Sequence, residues 1–200
     1  MKIAREALPF VVTSALLAAV AWVLLGSWAA APFGLFVLFS LWFFRDPERR
    51  VPDDPGALIS PADGKVILAG PERVSIFMNV FNVHVCRAPA AGRVESVDHH
   101  AGRFMAAFRD AAPSQNERST ILLADADRRI RFTLIAGLIA RRIVCKVRPG
   151  ETLRAGQRVG LIRFGSRVDV ELPPGSGVEV AIGERVVAGE TILARLPMAG

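Results

Sequence analysis

Gly150-Glu151-Thr152-Leu153-Arg154-Ala155-Gly156-Gln157-Arg158-Val159 returns 33 residues later as Gly183-Glu184-Arg185-Val186-Val187-Ala188-Gly189-Glu190-Thr191-Ile192. Both copies open on Gly-Glu and place Ala-Gly four residues after the Glu, with apolar positions between and after. Glycines at equivalent turns among β-branched residues describe a strand–turn–strand unit used twice. The repeat therefore predicts a mainly antiparallel β domain with a pseudo-twofold core. Between the copies, Val159-Gly160-Leu161-Ile162 and Val168-Asp169-Val170-Glu171-Leu172 have strand composition, which puts Gly165-Ser166 at an interruption between two strands.

The repeated turns resemble those of lipoyl- and biotin-carrier domains, which are flattened β-sandwiches. Upstream, Ser60-Pro61-Ala62-Asp63-Gly64-Lys65-Val66-Ile67 reads as a tight Asp-Gly turn entering a strand. Val74 to Val85 has strand composition throughout, which places His84 within a strand. Arg93 to Val97 alternates polar and apolar, and Ser119–Ala124, Ile130–Ala136 and Ala140–Val147 are three further expected strands. Phe104 to Phe108 reads as a helical turn or a loop, and Ser114 to Arg118 as a loop.

The chain divides in two by composition. Its apolar fraction is 52%, yet between Leu8 and Phe44 there is no Lys, Arg, Asp, Glu or His. Leu8–Leu25 and Trp28–Phe44 are two apolar runs separated by Gly26-Ser27, each near the ~17–25 residues that cross a bilayer as a helix. Lys2 and Arg5 precede them, Arg45, Arg49 and Arg50 follow, and the connection is uncharged. By the positive-inside rule this is a helical hairpin with both ends cytoplasmic. Two runs, with Trp-Phe-Phe-Arg closing the second, do not describe a cleaved signal peptide. Length favours spanning over lying in one leaflet. Residues 1–45 are thus expected to form a membrane-associated helical segment and residues 46–200 a β domain.

Net charge is +6, but the basic residues are dispersed and Tyr is absent, so no nucleic-acid pattern is present. Anionic lipid is the better partner for such a charge. Cys86 and Cys145 show neither CxxC spacing nor neighbouring ligands, and they read as reduced residues of a cytoplasmic domain with no metal site.

Three Gly-Ser pairs occur: Gly26-Ser27, Gly175-Ser176 and Gly165-Ser166. Gly26-Ser27 links the apolar runs and Gly175-Ser176 is a Pro-Gly turn, whereas Gly165-Ser166 interrupts two strand-like runs, with an acid at a tight turn (Asp63) and one histidine of three (His84) upstream. An acid, a histidine and a serine are the ingredients of an activated nucleophile.

The motifs, in order, are two apolar segments, Phe44-Arg45-Asp46-Pro47-Glu48-Arg49, Ser60-Pro61-Ala62-Asp63-Gly64, and Asn82-Val83-His84-Val85. They continue with Arg87-Ala88-Pro89 with Gly92, Asn116-Glu117-Arg118, Ile135-Ala136-Gly137-Leu138-Ile139-Ala140-Arg141-Arg142-Ile143, and Phe164-Gly165-Ser166. Together they resemble the phosphatidylserine decarboxylase proenzymes of the short, membrane-anchored type, over nearly the whole chain. The resemblance implies self-cleavage between Gly165 and Ser166 into chains 1–165 and 166–200 that stay associated. Ser166 would become a pyruvoyl cofactor, without pyridoxal phosphate, that forms a Schiff base with phosphatidylserine and yields phosphatidylethanolamine. Asp63 and His84 match residues that assist the chemistry. The longer form of the family has two histidines three apart, whereas here Arg87 follows His84 at that distance, so an Asp–His–Ser relay is in doubt. His99 and His100 are alternatives. Arg87, Arg118 and Arg141 are candidates to hold the lipid phosphate or carboxylate. The implied location is the inner membrane of the cell, with the catalytic domain cytoplasmic; homo-oligomerisation stays open.

Two other classes compete. A membrane-anchored carrier or adaptor would need a lysine at a hairpin tip, and neither repeat copy contains one. A serine hydrolase using Ser166, His84 and Asp63 lacks a GxSxG elbow.

Overall fold

The computed structural model describes residues 2–108, 112–125, 128–137, 142–163 and 166–197, and separates into two units, 1–48 and 49–200. In the first, α1 (Leu8–Leu25) and α2 (Ser27–Phe43) are joined at Gly26, whose φ of 92° and ψ of 179° suit glycine and reverse the chain. The ends of the hairpin are zipped by β1 (Lys2–Ile3) against β2 (Arg45–Asp46) and by Phe10 stacked on Phe44 at 5.5 Å. Both helices are apolar all round and leave large side chains bare, with Val23 83% and Trp28 92% exposed. A soluble protein does not carry so much contiguous apolar surface; the hairpin is a membrane-associating element. The stretch Arg5–Leu25 is long and apolar enough to cross a bilayer, and Ser27–Phe43 is shorter.

The second unit is β3 (Ala57–Ile59), β4 (Gly64–Ala69), β5 (Arg73–Met78), β6 (Val85–Arg87), β7 (Gly92–His100), α3 (Ala112–Gln115), β8 (Arg118–Asp125), β9 (Arg128–Ala136), β10 (Ile143–Cys145), β11 (Thr152–Leu153), β12 (Arg158–Ile162), β13 (Ser166–Glu171), β14 (Gly177–Val178), β15 (Arg185–Val186) and β16 (Ile192–Arg195). An eight-stranded sheet runs β11-β7-β8-β9-β13-β5-β4-β15, and two three-stranded sheets, β10-β12-β6 and β14-β16-β3, complete the unit. All strand pairs are antiparallel. The core is filled by alternate residues of the large sheet, such as Val168 and Val170, Ile76 and Met78, Phe132 and Leu134. Leu58, Ile162 and Leu193 of the small sheets meet them. This is the expected mainly β sandwich.

The repeat is real in three dimensions. Gly150 and Gly156 (φ 93° and 73°) match Gly183 and Gly189 (φ 95° and 78°), all in the left-handed region. Gly150 N–H donates to Val94 O and Gly183 N–H to Val66 O, both at 2.8 Å. Gly156 N–H donates to Ala88 O at 2.9 Å and Gly189 N–H to Ser60 O at 2.8 Å. These acceptors expose a second repeat: Ser60-Pro61-Ala62-Asp63-Gly64-Lys65-Val66 matches Ala88-Pro89-Ala90-Ala91-Gly92-Arg93-Val94. Its copies exchange backbone bonds across the pseudo-twofold, Ile59 N–H to Pro89 O and Arg87 N–H to Pro61 O, each 2.9 Å.

Two local expectations are corrected. Val74 to Val85 is not one strand: β5 stops at Met78, and His84 lies in the loop just before β6. Asn79 and Asn82 break it, because Asn79 N–H donates to Asn82 Oδ1 and Phe81 N–H to Asn79 Oδ1, both at 2.9 Å. Within Ser114 to Arg118, Ser114 and Gln115 belong to α3 and Arg118 begins β8.

Close strand packing yields a stability prediction. A Cβ on Gly160 would lie 2.1 Å from Val144 O, a backbone atom that cannot step aside, whereas one on Gly177 meets nothing within 4 Å. Gly160→Ala should cost about 3 kcal/mol and Gly177→Ala less than about 1. Urea midpoints of the detergent-solubilised variants check this; equal midpoints would show that β10 and β12 do not approach so closely.

Candidate active site

Ser166 is the first residue of β13 and is fully buried. It is held from both sides, opposite Met78 of β5 and Ala136 of β9, and its Oγ donates to Met78 Sδ at 3.2 Å. Alternation along β13 turns Ser166, Val168 and Val170 to the core and Arg167, Asp169 and Glu171 to the other face. The segment between β12 and β13 crosses from a small sheet to the large one. Gly165, the other half of the expected cleavage site, lies outside the described residues, as does Arg141.

His84 is buried, 2% exposed, and its Nδ1 is 2.9 Å from Asn82 O. A carbonyl can only accept, so Nδ1 carries the proton and Nε2 is the nitrogen able to take another. The loop is anchored toward the serine: His84 O accepts Ile162 N–H at 3.3 Å, and Val85 pairs with Leu161.

Asp63 does not cap its own turn; Ser60 does, with Oγ donating to Ala62 O at 2.7 Å. The Asp63 carboxylate instead reaches the repeat turn that packs on its own half. Its Oδ1 accepts Ala188 N–H at 2.8 Å, and both oxygens receive Arg49 Nη2 at 2.9 and 2.8 Å. Ala91 stands at the matching place of the other half, so the pair breaks the symmetry. Arg87 is also buried, its Nη1 donating to Gly156 O at 3.0 Å. A Cβ on Gly189 would be 3.1 Å from Arg87 Cδ and 3.5 Å from Arg49 Cβ, so both arginines crowd one turn of the repeat. Cys86, between His84 and Arg87, has its thiol pKa pushed far up, first by burial, then by the negative charge of Asp63 and by Cys145. Asp63, Arg49, Cys86 and Arg87 therefore share one electrostatic neighbourhood.

Other expected residues lie elsewhere. Arg118 pairs in register with Ile135 and through it with Arg167, on the face away from Ser166. There it donates to Ser114 O at 3.0 Å and lines a groove of about 380 Å³ with Arg73, Arg131, Thr133 and Asp169. His99 is on β7, three strands from β13 and so about 14 Å away; its Nδ1 is 3.0 Å from Ser119 Oγ. His100 borders the outer groove. Among the described residues no His, Cys, Asp and Glu cluster could hold a metal ion.

Three structural contributors escaped the sequence reading. Arg49 was legible only as part of a motif. Arg167, 4% exposed, binds Asp169 with Nε and Nη2 at 2.5 and 3.1 Å and Ser75 Oγ at 2.9 Å, locking β13 to β5 beside Ser166. Asn116, fully buried, donates to Ala136 O at 2.7 Å and brackets Met105 through both its N–H and C=O. No periodicity marks such side chains; only their contacts do.

Comparison with known proteins identifies the family. A family model described as phosphatidylserine decarboxylase matches residues 36–194. The phosphatidylserine decarboxylase proenzyme of Desulfotalea psychrophila is 47% identical over 97% of this chain and 96% of its own length. The proenzymes of Burkholderia vietnamiensis and Burkholderia cenocepacia are 45% and 46% identical over 97% of this chain and 96% of theirs.

The Arg49–Asp63 pair is nearly dry, with side chains 11% and 15% exposed. Arg49→Met strands a buried carboxylate and should cost about 3 kcal/mol. The double variant with Asp63→Leu should recover most of that loss. Additive losses in the double-mutant cycle would show the two groups to be uncoupled.

Proposed function

The chain belongs to the phosphatidylserine decarboxylase family, and from that premise we propose that it decarboxylates phosphatidylserine to phosphatidylethanolamine with a pyruvoyl group made from its own Ser166. The Ser166 hydroxyl attacks the Gly165 carbonyl carbon; the peptide C–N bond breaks as the ester C–O bond forms, and the hydroxyl proton passes to a base. Elimination then breaks the Cβ–Oγ bond, freeing the Gly165 carboxylate, and water displaces ammonia from the dehydrated residue.

The burial of Ser166 carries this reading. Plain hydrolysis before residue 166 would leave an ammonium ion at a fully buried strand end, beside Met78 and Val168, at a cost of several kcal/mol. A keto group at the same place is uncharged and fits. When formed, it supplies the electron sink for the electron pair left by the departing carboxylate.

Support for two associated chains comes from the pairing. Every strand after the cut, except β14, is hydrogen-bonded to strands before it: β13 to β5 and β9, β15 to β4, β16 to β3. His84, with Nε2 as proton acceptor, is the proposed base. Asp63, held by Arg49 and Ala188 N–H, is the acid proposed to assist self-cleavage. Arg87 is the proposed contact for the substrate carboxylate or phosphate, and Arg141 is carried by the resemblance alone. A Ser-His-Asp hydrolase is disfavoured, because Asn82 O fills the place on His84 Nδ1 that the acid of a triad would take. Lys2, Arg5, Arg45, Arg49 and Arg50 flanking the hairpin favour the cytoplasmic side of the inner membrane for both its ends.

Mass spectrometry of the purified chain should find residues 1–165 and a smaller chain beginning with a keto-blocked residue 166, in place of one 21.6 kDa species. Ser166→Ala should remain whole and release no carbon dioxide from labelled phosphatidylserine. His84→Ala should slow cutting by about 10²–10⁴-fold. An intact, active wild-type chain would end the proposal.

A further inference from the structure

Among the described residues of the β unit, three large apolar side chains are held well out in water: Phe81 69%, Phe108 61% and Ile182 69% exposed. Phe81 and Phe108 belong to one end of the eight-stranded sheet, the end where Ser166 begins β13, whereas Ile182 lies on the edge of the sheet three strands from β13. Phe81 follows Met78, the register partner of Ser166, by three residues. Phe108 packs edge-on against Phe77 at 5.9 Å. Ile182 precedes Gly183, whose N–H donates to Val66 O at 2.8 Å, next to Lys65, the register partner of Phe77.

These side chains are placed, not loose. Phe81 sits on the turn that Asn79 and Asn82 tie with 2.9 Å bonds. The loop of Phe108 is bracketed by Asn116 at Met105 and fastened to Ala136, the other neighbour of Ser166. The turn of Ile182 is closed by Ala181 N–H to Glu184 Oε2 at 3.0 Å. Apolar side chains held exposed on hydrogen-bonded turns keep a hydration cost that entry into an apolar layer would lower.

The charge around them selects the partner. Lys65 and Arg142 are exposed at this end, Arg142 O receiving Arg163 N–H at 3.3 Å just ahead of the cut. The nearby acids are engaged: Glu184 on Ala181 N–H, and Glu117, 14% exposed, on Ile143 N–H. Apolar tips ringed by cations match an anionic lipid interface, and a phosphatidylserine head group carries two negative charges against one positive. We infer that Phe81 and Phe108 form a rim that dips into the anionic head-group layer, so that the lipid head meets the Ser166 end of the sheet while its acyl chains stay in the bilayer. The inference rests on Ser166 being the reactive residue.

The test uses the full chain and two forms of substrate. One is phosphatidylserine in phosphatidylcholine vesicles at graded surface fraction; the other is dihexanoyl phosphatidylserine dispersed as monomers, with the enzyme in detergent. Phe81→Ser with Phe108→Ser should raise the half-saturating surface fraction about tenfold on vesicles. Turnover of the monomeric lipid should stay within about twofold, and self-cutting, the check on folding, should match wild type. Lys65→Glu with Arg142→Glu should weaken vesicle turnover in a salt-dependent way and spare the monomer. Equal losses on both substrates, or no loss on vesicles, would overturn the rim. A wild-type chain that is uncut and inactive on both would instead overturn the Ser166 reading, and the rim with it.

Discussion

The structure depends on one constraint: the strand that begins at Ser166 is hydrogen-bonded along both edges. β13 meets β9 on one side and β5 on the other, in unbroken register from Ser166 to Val170. A peptide bond just before such a strand contributes little to its position, since the ladders hold the residue whether or not the chain continues upstream. Arg167 adds a buried guanidinium clamp on Asp169 and Ser75 one residue later. Cutting the chain there changes covalent connectivity while the fold stays. At an edge strand or loop tip the new end would fray.

The second organising fact is duplication followed by divergence. The two halves share turn glycines, backbone bonds and Pro-Ala-x-Gly segments, which is sound economy for a sandwich core. Chemistry appears where the halves differ. Asp63 faces Ala188 N–H and Arg49 in one half, while Ala91 holds the matching place in the other. The carboxylate acts on its surroundings: after burial, its negative charge is the next cause holding the Cys86 thiol pKa up. A twofold core has two equivalent turns; one charge makes them chemically different.

Much of this was legible in the sequence because it rests on backbone requirements. Gly150, Gly156, Gly183 and Gly189 announced the repeat since their φ values admit little else. The apolar hairpin was legible from the absence of charge. The earlier repeat, Ser60–Val66 against Ala88–Val94, was missed because proline, alanine, glycine and valine at matched places are too common to stand out without the bonds between copies. His84 was placed in a strand because the composition of 74–85 favours one, and the side-chain bonds of Asn79 and Asn82 override composition. The partners of Asp63 and Arg167 were not legible: a pairing over 125 residues, as between Ala188 and Asp63, leaves no local pattern.

Burial at Ser166 bears on more than the cut. A site that rejects a terminal ammonium also disfavours the ammonium form of an entering amine, which must lose its proton before it can act as a nucleophile. The same dryness acts on the substrate carboxylate, whose charge is dispersed as carbon dioxide leaves. One property of the fold, a fully buried first residue on a central strand, thus serves three ends. On the proposed chemistry it would demand an uncharged group at residue 166, favour the free amine of the substrate and penalise the carboxylate that the reaction removes. Each end requires the lipid head to leave water, which is costly for a zwitterion with an extra negative charge. A dry site for a charged head group therefore needs a fixed cation of its own, the part proposed for Arg87.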